Sequence, residues 1–112
     1  MFHQIIFLNA VKIGGDRMTR EQFKKALQGS AKVGGMFEFY TDQHEGTIFS
    51  ADYTTFVWVD KIGFSRSSDR AEPEYVGEYK SVDEMLSAFR VNGNLFADAV
   101  LPAIRELKQI YT

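Results

Sequence analysis

The sequence predicts an α+β protein with a mostly antiparallel sheet of about five strands and with helices packed mainly on one face. Half of the sixteen aromatic residues lie between residues 36 and 64, in a stretch that alternates as β-strands do. Capping-box motifs at Thr19 and Ser81 place helix starts on either side of this stretch. Consecutive strands flanked by helices are typical of the α+β class.

The length and composition indicate one globular domain, residues 1–112, because 112 residues are too few for two ordinary domains. Cysteine is absent, which excludes disulfides, thiolate metal sites and cysteine nucleophiles and fits a reducing compartment. The apolar run at residues 5–8 is shorter than the core of a signal peptide or a membrane span. We therefore expect a cytoplasmic protein that does not bind a membrane.

The first two elements are a strand and a helix. Residues 3–11 are predicted to form a strand buried on both faces, because four apolar residues follow one another at positions 5–8. A capping box of Thr19 and Gln22 begins the helix, with Met18 as a hydrophobic staple. Gly29 ends the helix by adopting a left-handed backbone.

The aromatic stretch divides into three strands at residues 36–40, 47–51 and 54–62. The polar segment 42–46 ends in Gly46 and predicts a hairpin turn. Residues 54–62 are apolar on both faces, which favours an interior strand, and we expect Phe56 and Trp58 to anchor the core. The connections are too short for crossovers, so these strands are antiparallel.

The remaining chain predicts a loop at 65–73, an edge strand at 74–80 and two helices. Ser81 and Glu84 form the second capping box, and this helix is expected to stop at Asn92 and Gly93. Residues 94–110 are predicted to be the last helix, in which Pro102 causes a kink or a restart. Its apolar stripe is Phe96, Val100, Ile104, Leu107 and Tyr111. The predicted order is β-α-β-β-β-β-α-α.

No residue pattern predicts catalysis, a metal site or a cofactor. The two histidines, His3 and His44, lie near the N-terminus and in the predicted hairpin turn, and no nucleophile motif is present. Asp42, His44 and Glu45 offer three ligands without a recognisable fourth. The glycine pairs match no phosphate-binding motif. Asp60 is predicted either to be partly buried beside Trp58 or to mark the end of its strand.

Charge is unevenly distributed along the chain. Residues 12–32 carry a balance of +4, so the rest must carry −6 to give the total of −2. This asymmetry can steer a partner. Nucleic-acid binding is weakly supported, since the isoelectric point is near 5.6 and no Lys/Arg-rich tract exists. The residues proposed for partner binding are Arg17, Arg20, Lys24, Tyr40, Tyr53, Arg66 and Arg70.

The function predicted from these observations is a small non-catalytic binding module that docks a macromolecule, most simply a protein. Compact cysteine-free α+β proteins of this length are common among phage and mobile-element accessory proteins, including inhibitors and immunity proteins. No motif identifies a family. One alternative is a small-molecule-binding protein or enzyme with a pocket between sheet and helices. Another is a homo-oligomeric structural subunit that pairs through the edge strand at 74–80.

Overall fold

The computed structural model describes residues 4–5, 11–12, 17–28, 35–51, 53–66 and 72–111. Its strands are β1 (Gln4–Ile5), β2 (Val11–Lys12), β3 (Gly35–Tyr40), β4 (His44–Ala51), β5 (Thr54–Lys61), β6 (Tyr75–Tyr79), β7 (Arg90–Val91), β8 (Asn94–Leu95) and β9 (Glu106–Tyr111). Its α-helices are α1 (Arg20–Gln28), α2 (Val82–Ala88) and α3 (Phe96–Ala99). Short 3₁₀ helices lie at Phe64–Arg66 and Leu101–Ala103.

Five strands of five to eight residues form an antiparallel sheet in the order β9-β3-β4-β5-β6. The two-residue strands β1 and β2 both pair with β9 on its other side. β7 and β8 form a separate hairpin. The predicted α+β class is confirmed, and so are the interior position of β5 and the edge position of β6.

One face of the sheet, the inner face, holds the core. Phe37, Ile48 and Val57 lie directly opposite one another on β3, β4 and β5, and all three are buried. Phe39 and Leu107 continue this apolar layer one row along the strands. The side-chain period of two places these residues on a single face.

The helices cover the inner face with aromatic side chains. The Phe96 ring of α3 lies 5.9 Å from the Phe23 ring of α1 and 5.8 Å from the Phe89 ring that follows α2. Phe96 also contacts Phe39 of the sheet edge-to-face, with ring centroids 5.5 Å apart. Such tilted and edge-to-face contacts are favoured by the ring quadrupoles. Phe96 therefore joins all three helical segments to the sheet.

Both predicted capping boxes are present. The Thr19 hydroxyl accepts from the Gln22 backbone N–H at 3.1 Å, and the Gln22 side chain accepts from the Thr19 N–H at 2.9 Å. Ser81 accepts from the Glu84 N–H at 3.1 Å, while the Glu84 carboxylate accepts from the preceding Lys80 N–H at 2.9 Å. Each box satisfies donors that the first helical turn leaves unpaired.

The second helix ends earlier than the sequence predicts. α2 stops at Ala88, and Asn92 and Gly93 instead form the turn between β7 and β8. Both turn residues have positive φ, +53° for Asn92 and +83° for Gly93. An Asn-Gly pair favours this hairpin turn because it tolerates the left-handed backbone at both positions.

The predicted helix at 94–110 is wrong. Only Phe96–Ala99 is α-helical, and a 3₁₀ turn with Pro102 near its start follows, so Pro102 marks a restart rather than a kink. The chain then enters the sheet as β9, which pairs with β3 over five residues. Leu107 and Gln109 are buried on its inner face. β9 pairs with β3 on one side and with β1 and β2 on the other. This pairing stabilises a strand, although the apolar residues of the segment have helical spacing.

The β3–β4 hairpin is tighter than predicted. Its turn occupies residues 41–43, where the Thr41 hydroxyl accepts from the backbone N–H groups of Gln43 and His44 at 3.1 and 2.8 Å. Gly46, predicted as the turn glycine, lies within β4 and faces inward. A Cβ there would overlap the Phe39 ring and the Trp58 carbonyl oxygen. Gly46 is therefore needed for close packing.

The prediction that Phe56 and Trp58 anchor the core is also wrong. Phe56 is 45% exposed, whereas its neighbours Val57 and Val59 are buried. The inner face of β5 carries small residues because the helices already supply bulky rings there.

Of the predicted strand 3–11, only residues 4–5 and 11 are described, and Gly29 lies outside the described residues.

Candidate functional site

The face of the sheet opposite the helices, the outer face, carries an apolar patch of five side chains. Met36, Phe49 and Phe56 lie side by side on β3, β4 and β5, and Trp58 lies opposite Val76 in the next row. Met36 is 40% exposed, Phe56 45% and Val76 62%. With Thr47 they line a shallow groove of about 260 Å³.

The strand sequences explain how this patch arises. β5 alternates Phe56 and Trp58 with Val57 and Val59, so both of its faces are apolar. Aromatic and β-branched residues suit a pleated sheet, and the alternation commits one set to each face. Since Val57 and Val59 fill the inner face, the larger aromatic side chains lie on the side away from the core.

A polar row crosses the same face beyond the apolar patch. Tyr40 lies opposite Glu45 on one side and Glu106 on the other, and Glu45 lies opposite Asp60. Burial, followed by the nearby Glu38 carboxylate, raises the pKa of Tyr40 to about 12. The phenol stays protonated at neutral pH and donates a hydrogen bond of 3.2 Å to Glu38.

The carboxylates of Glu45 and Asp60 hold the chain that connects β5 to β6. Glu45 is 5% exposed and accepts from the backbone N–H groups of Gly63 and Ser65 at 2.8 and 2.9 Å. Asp60 is fully buried and accepts from those of Lys61 and Glu74 at 2.6 and 2.8 Å. Both ends of the connection are thereby tied to the sheet.

An aromatic contact places this connection beside the apolar patch. The Phe64 ring lies 5.6 Å from the Trp58 ring at a tilt of 60°. The sequence predicted that Asp60 could be partly buried beside Trp58, and its burial is confirmed. The anchoring role of Glu45 was missed, since a glutamate next to a turn is ordinarily solvated.

A cleft of about 420 Å³ lies at the polar end of the outer face. It is lined by Tyr40, Glu45, Ile62, Gly63 and Ser65. The Lys108 ammonium lies near it, 5.2 Å from the centroid of the Tyr40 ring and 3.6 Å from Glu106.

Two of the cations predicted to bind a partner, Arg20 and Lys24, belong to α1 on the helical side of the molecule. Arg20 is 3.8 Å from Asp98, and Lys24 is 2.6 Å from Asp83. Both pairs are solvent-exposed, so they contribute little to stability, but they neutralise the basic side of α1. Arg17 is exposed and lines a small cavity that also includes Asp98.

The predicted aromatic contacts are far apart. Tyr40 lies in the polar row, whereas Tyr53 is 86% exposed in the β4–β5 turn at the other end of the strands, roughly 20 Å away. Arg66 ends a 3₁₀ helix, and its side chain is outside the described part of the chain, as is Arg70 altogether. The partner-binding role of all seven residues stays a prediction, and those described do not form one surface.

The sequence missed Met36, Phe49, Phe56 and Val76 as candidate contacts. The sequence did contain an indication of them, because β5 has apolar residues on both faces and only one face can pack against the core.

Comparison with known proteins does not identify a function for this face. No family model, curated protein or solved structure matches this chain. The outer face must therefore be interpreted from its own chemistry.

The described residues were compared with the requirements of a metal site and of a membrane-spanning helix. Within them, no three His, Asp or Glu side chains are grouped so that they could hold a metal ion. No helix in the described ranges is long and apolar enough to cross a membrane. His44, the histidine of the described part, lies beside Thr41 and Asp42 rather than in the apolar patch.

Proposed function

We propose that this protein is a non-catalytic binding module that docks a protein partner on the outer face of its sheet. The observation that carries this proposal is the apolar patch, in which Met36, Phe56 and Val76 are exposed on the face that the described helices leave uncovered. Contiguous exposed apolar side chains are typical of interaction surfaces. Removing Met36, Phe56 and Val76 from water would supply the main driving force for docking.

The charges around the patch indicate the chemistry of the partner. Glu38, Glu78 and Glu106 lie on the outer face, where Lys108 is opposite Glu38 and Lys12 of β2 is opposite Glu106 in the register. A protein surface with an apolar centre and a rim of lysine or arginine side chains would complement them. Nucleic acid is disfavoured on this face because its phosphates would meet these carboxylates.

An inhibitor or immunity-type protein is the specific role that fits best. Such a protein acts by covering the surface of another protein, so it requires a docking face and no reactive group of its own. The buried anchors at Glu45 and Asp60 support this role, because they hold the segment beside the patch in place. A preorganised surface loses less conformational entropy when it binds.

Affinity capture from the source cell tests the proposal. The wild-type protein should recover a stoichiometric protein partner, and the variants Met36→Lys and Phe56→Lys should lose it. Tyr53→Ser is the matched control, because Tyr53 is a highly exposed aromatic residue outside the patch. Equal recovery by wild type and both lysine variants, with folding verified by circular dichroism, would reject docking on this face.

Trp58 provides a direct measurement of the same interaction. It is the only tryptophan in the chain and lies within the patch. Titration with the purified partner should shift its emission to shorter wavelength as water leaves the indole, with saturation at one partner per docking face. An unchanged spectrum on a complex shown by mass to form would place the partner elsewhere.

Small-molecule binding in the 420 Å³ cleft is a second candidate function. Its volume is within the range of ordinary ligand sites, and Tyr40 and Glu45 are among the residues that line it. Titration with a panel of small organic molecules should shift the amide resonances of Gly63 and Ser65 saturably. Linear shifts up to millimolar concentration would argue against a site here.

A further inference from the structure

The edge strand β6 offers a second interaction surface, which shares Val76 with the apolar patch. β6 pairs with β5 along one side, and none of the described strands pairs with its other side. Such an edge presents backbone donors and acceptors that can extend the sheet with a strand from another chain. Gly77 at its centre, covered on the inner face by Tyr79 and Phe89, leaves little side-chain bulk in the way.

We propose that two copies of this chain pair antiparallel through β6, about a two-fold axis at Gly77. Full overlap of the five-residue strand then places Tyr75 opposite Tyr79 of the partner subunit. Glu74 lies opposite Lys80 of the partner subunit, and the symmetry repeats this opposite-charge pair at the other end of the interface. Both the aromatic and the charge pairs are favourable across antiparallel strands.

Charge selects this register over its neighbours. The smallest shift that keeps the two inner faces on the same side is two residues, because successive side chains of a strand point to opposite faces. Such a shift in one direction would centre the pair on Glu78 and place Glu78 opposite its own copy. The same shift in the other direction would centre the pair on Val76 and place Glu74 opposite Glu78 of the partner subunit. Like charges directly opposite destabilise a strand pair. The register centred on Gly77 is therefore the one in which the ends attract and no carboxylate faces another directly.

The pairing gives a role to the exposed position of Val76. Val76 lies between Trp58 and the sheet edge and is 62% exposed. In the paired molecule it would face Glu78 of the partner subunit, whose hydrocarbon stem would cover it. The sheet and both outer faces then run continuously through the two-fold axis. The dimer does not depend on the docking proposal, since its contacts are the β6 edges.

Sedimentation equilibrium of the purified chain tests the dimer, with a mass of twice 12.8 kDa expected. Glu74→Lys and Lys80→Glu each convert two attractive pairs into repulsive ones and should raise the dissociation constant about tenfold. The double swap Glu74→Lys/Lys80→Glu restores both pairs and should return the constant close to the wild-type value. Both residues are exposed, and the hydrogen bonds that their backbone N–H groups donate to Asp60 and Glu84 do not use their side chains.

Disulfide trapping tests the register separately. The chain has no cysteine, so Val76→Cys/Glu78→Cys introduces the only thiols and places them directly opposite across the two-fold. Mild oxidation should yield a covalent dimer, whereas the single variant Val76→Cys should yield far less. A monomer throughout the micromolar range, insensitivity to the charge swaps, or failure of the double swap to rescue would each overturn the proposal. Capture of the partner by a monomeric protein would leave the docking function intact.

Discussion

Glu45 and Asp60 are acidic residues that serve as structural anchors. Each lies on the outer face of the sheet and accepts hydrogen bonds from two backbone N–H groups. Glu45 bonds Gly63 and Ser65 of the β5–β6 connection, and Asp60 bonds its neighbour Lys61 and Glu74 at the end of the connection. Hydrogen bonds to a charged acceptor are stronger than those between neutral groups. At the scale of single residues, the identity of a side chain does not reveal such a role, because its partners come from distant parts of the chain.

Gly46→Ala is expected to destabilise the fold by about 2–3 kcal/mol. The added methyl group would overlap the Phe39 ring and the Trp58 carbonyl oxygen, so a buried strand and a core ring would have to move. Urea denaturation followed by circular dichroism measures the loss. Retention of wild-type stability would show that the core around Phe39 is loosely packed.

Gly93→Ala provides the comparison, because a Cβ there meets no atom within 4 Å. Its φ of +83° makes the substitution unfavourable through the backbone alone. The expected cost is about 1 kcal/mol, smaller than that of Gly46→Ala. Equal costs at the two positions would contradict the assignment of Gly46 to close packing.

Tyr40 makes the stability depend on pH above neutrality. Its pKa is raised from 10.0 to about 12 in the folded protein, so the folded state holds the phenolic proton more tightly than the unfolded state. The stabilisation is complete below pH 10 and is lost as the pH rises towards 12. Denaturant titrations between pH 9 and 12 should show a shallower decline for Tyr40→Phe than for the wild type. Parallel declines would refute the assignment.

The choice of face in β5 shows why residue-level prediction is incomplete. Alternation correctly separated Phe56 and Trp58 from Val57 and Val59. The aromatic pair was predicted to face the core, but the two valines do so instead. Helical side chains Phe23, Phe89 and Phe96 fill the space over the inner face. Small residues therefore fit there better than large ones, and this depends on packing partners that local sequence does not specify.

At the scale of elements, short capping motifs correctly predicted where α1 and α2 begin. The last strand, β9, depends instead on pairing with strands that are far away in the sequence. The capping boxes at Thr19 and Ser81 were confirmed because their donors and acceptors lie within four residues. The segment after Pro102 had apolar residues at helical spacing and became β9. Its partners β3, β1 and β2 are far away in sequence, so no local pattern could reveal the pairing.

Lys108→Pro tests whether β9 is an interior strand. Lys108 lies opposite Glu38 of β3, between the residues of β9 that pair with β2 and β1. Proline removes a backbone donor and is poorly tolerated in the interior of a sheet. We expect a loss of about 3 kcal/mol or more, measured by urea denaturation. Lys108→Thr is the matched control, since threonine suits a strand and should change stability by less than about 1 kcal/mol. A small cost for the proline would contradict the pairing of β9 with β3.

At the scale of the whole molecule, the two faces of one sheet serve different purposes. Phe37, Phe39, Ile48 and Val57 pack against the helices and hold the fold together. The outer face carries an apolar patch that the described helices do not cover, bordered by carboxylates. A fold that keeps large apolar side chains partly in water retains them for a reason other than stability, and docking of a partner is the reason we propose.

This separation predicts opposite effects of substitutions at adjacent positions of β5. Val57→Ala should reduce stability by about 2 kcal/mol, because Val57 is buried at the centre of the inner face. Phe56→Ala removes a larger side chain but should cost less than about 1 kcal/mol, since Phe56 is 45% exposed. Partner capture should show the reverse order, with Phe56→Ala impaired and Val57→Ala retained wherever it is folded. A Phe56 variant that unfolds more readily than the Val57 variant would mean that the patch contributes to the core, and docking would then lose its main support.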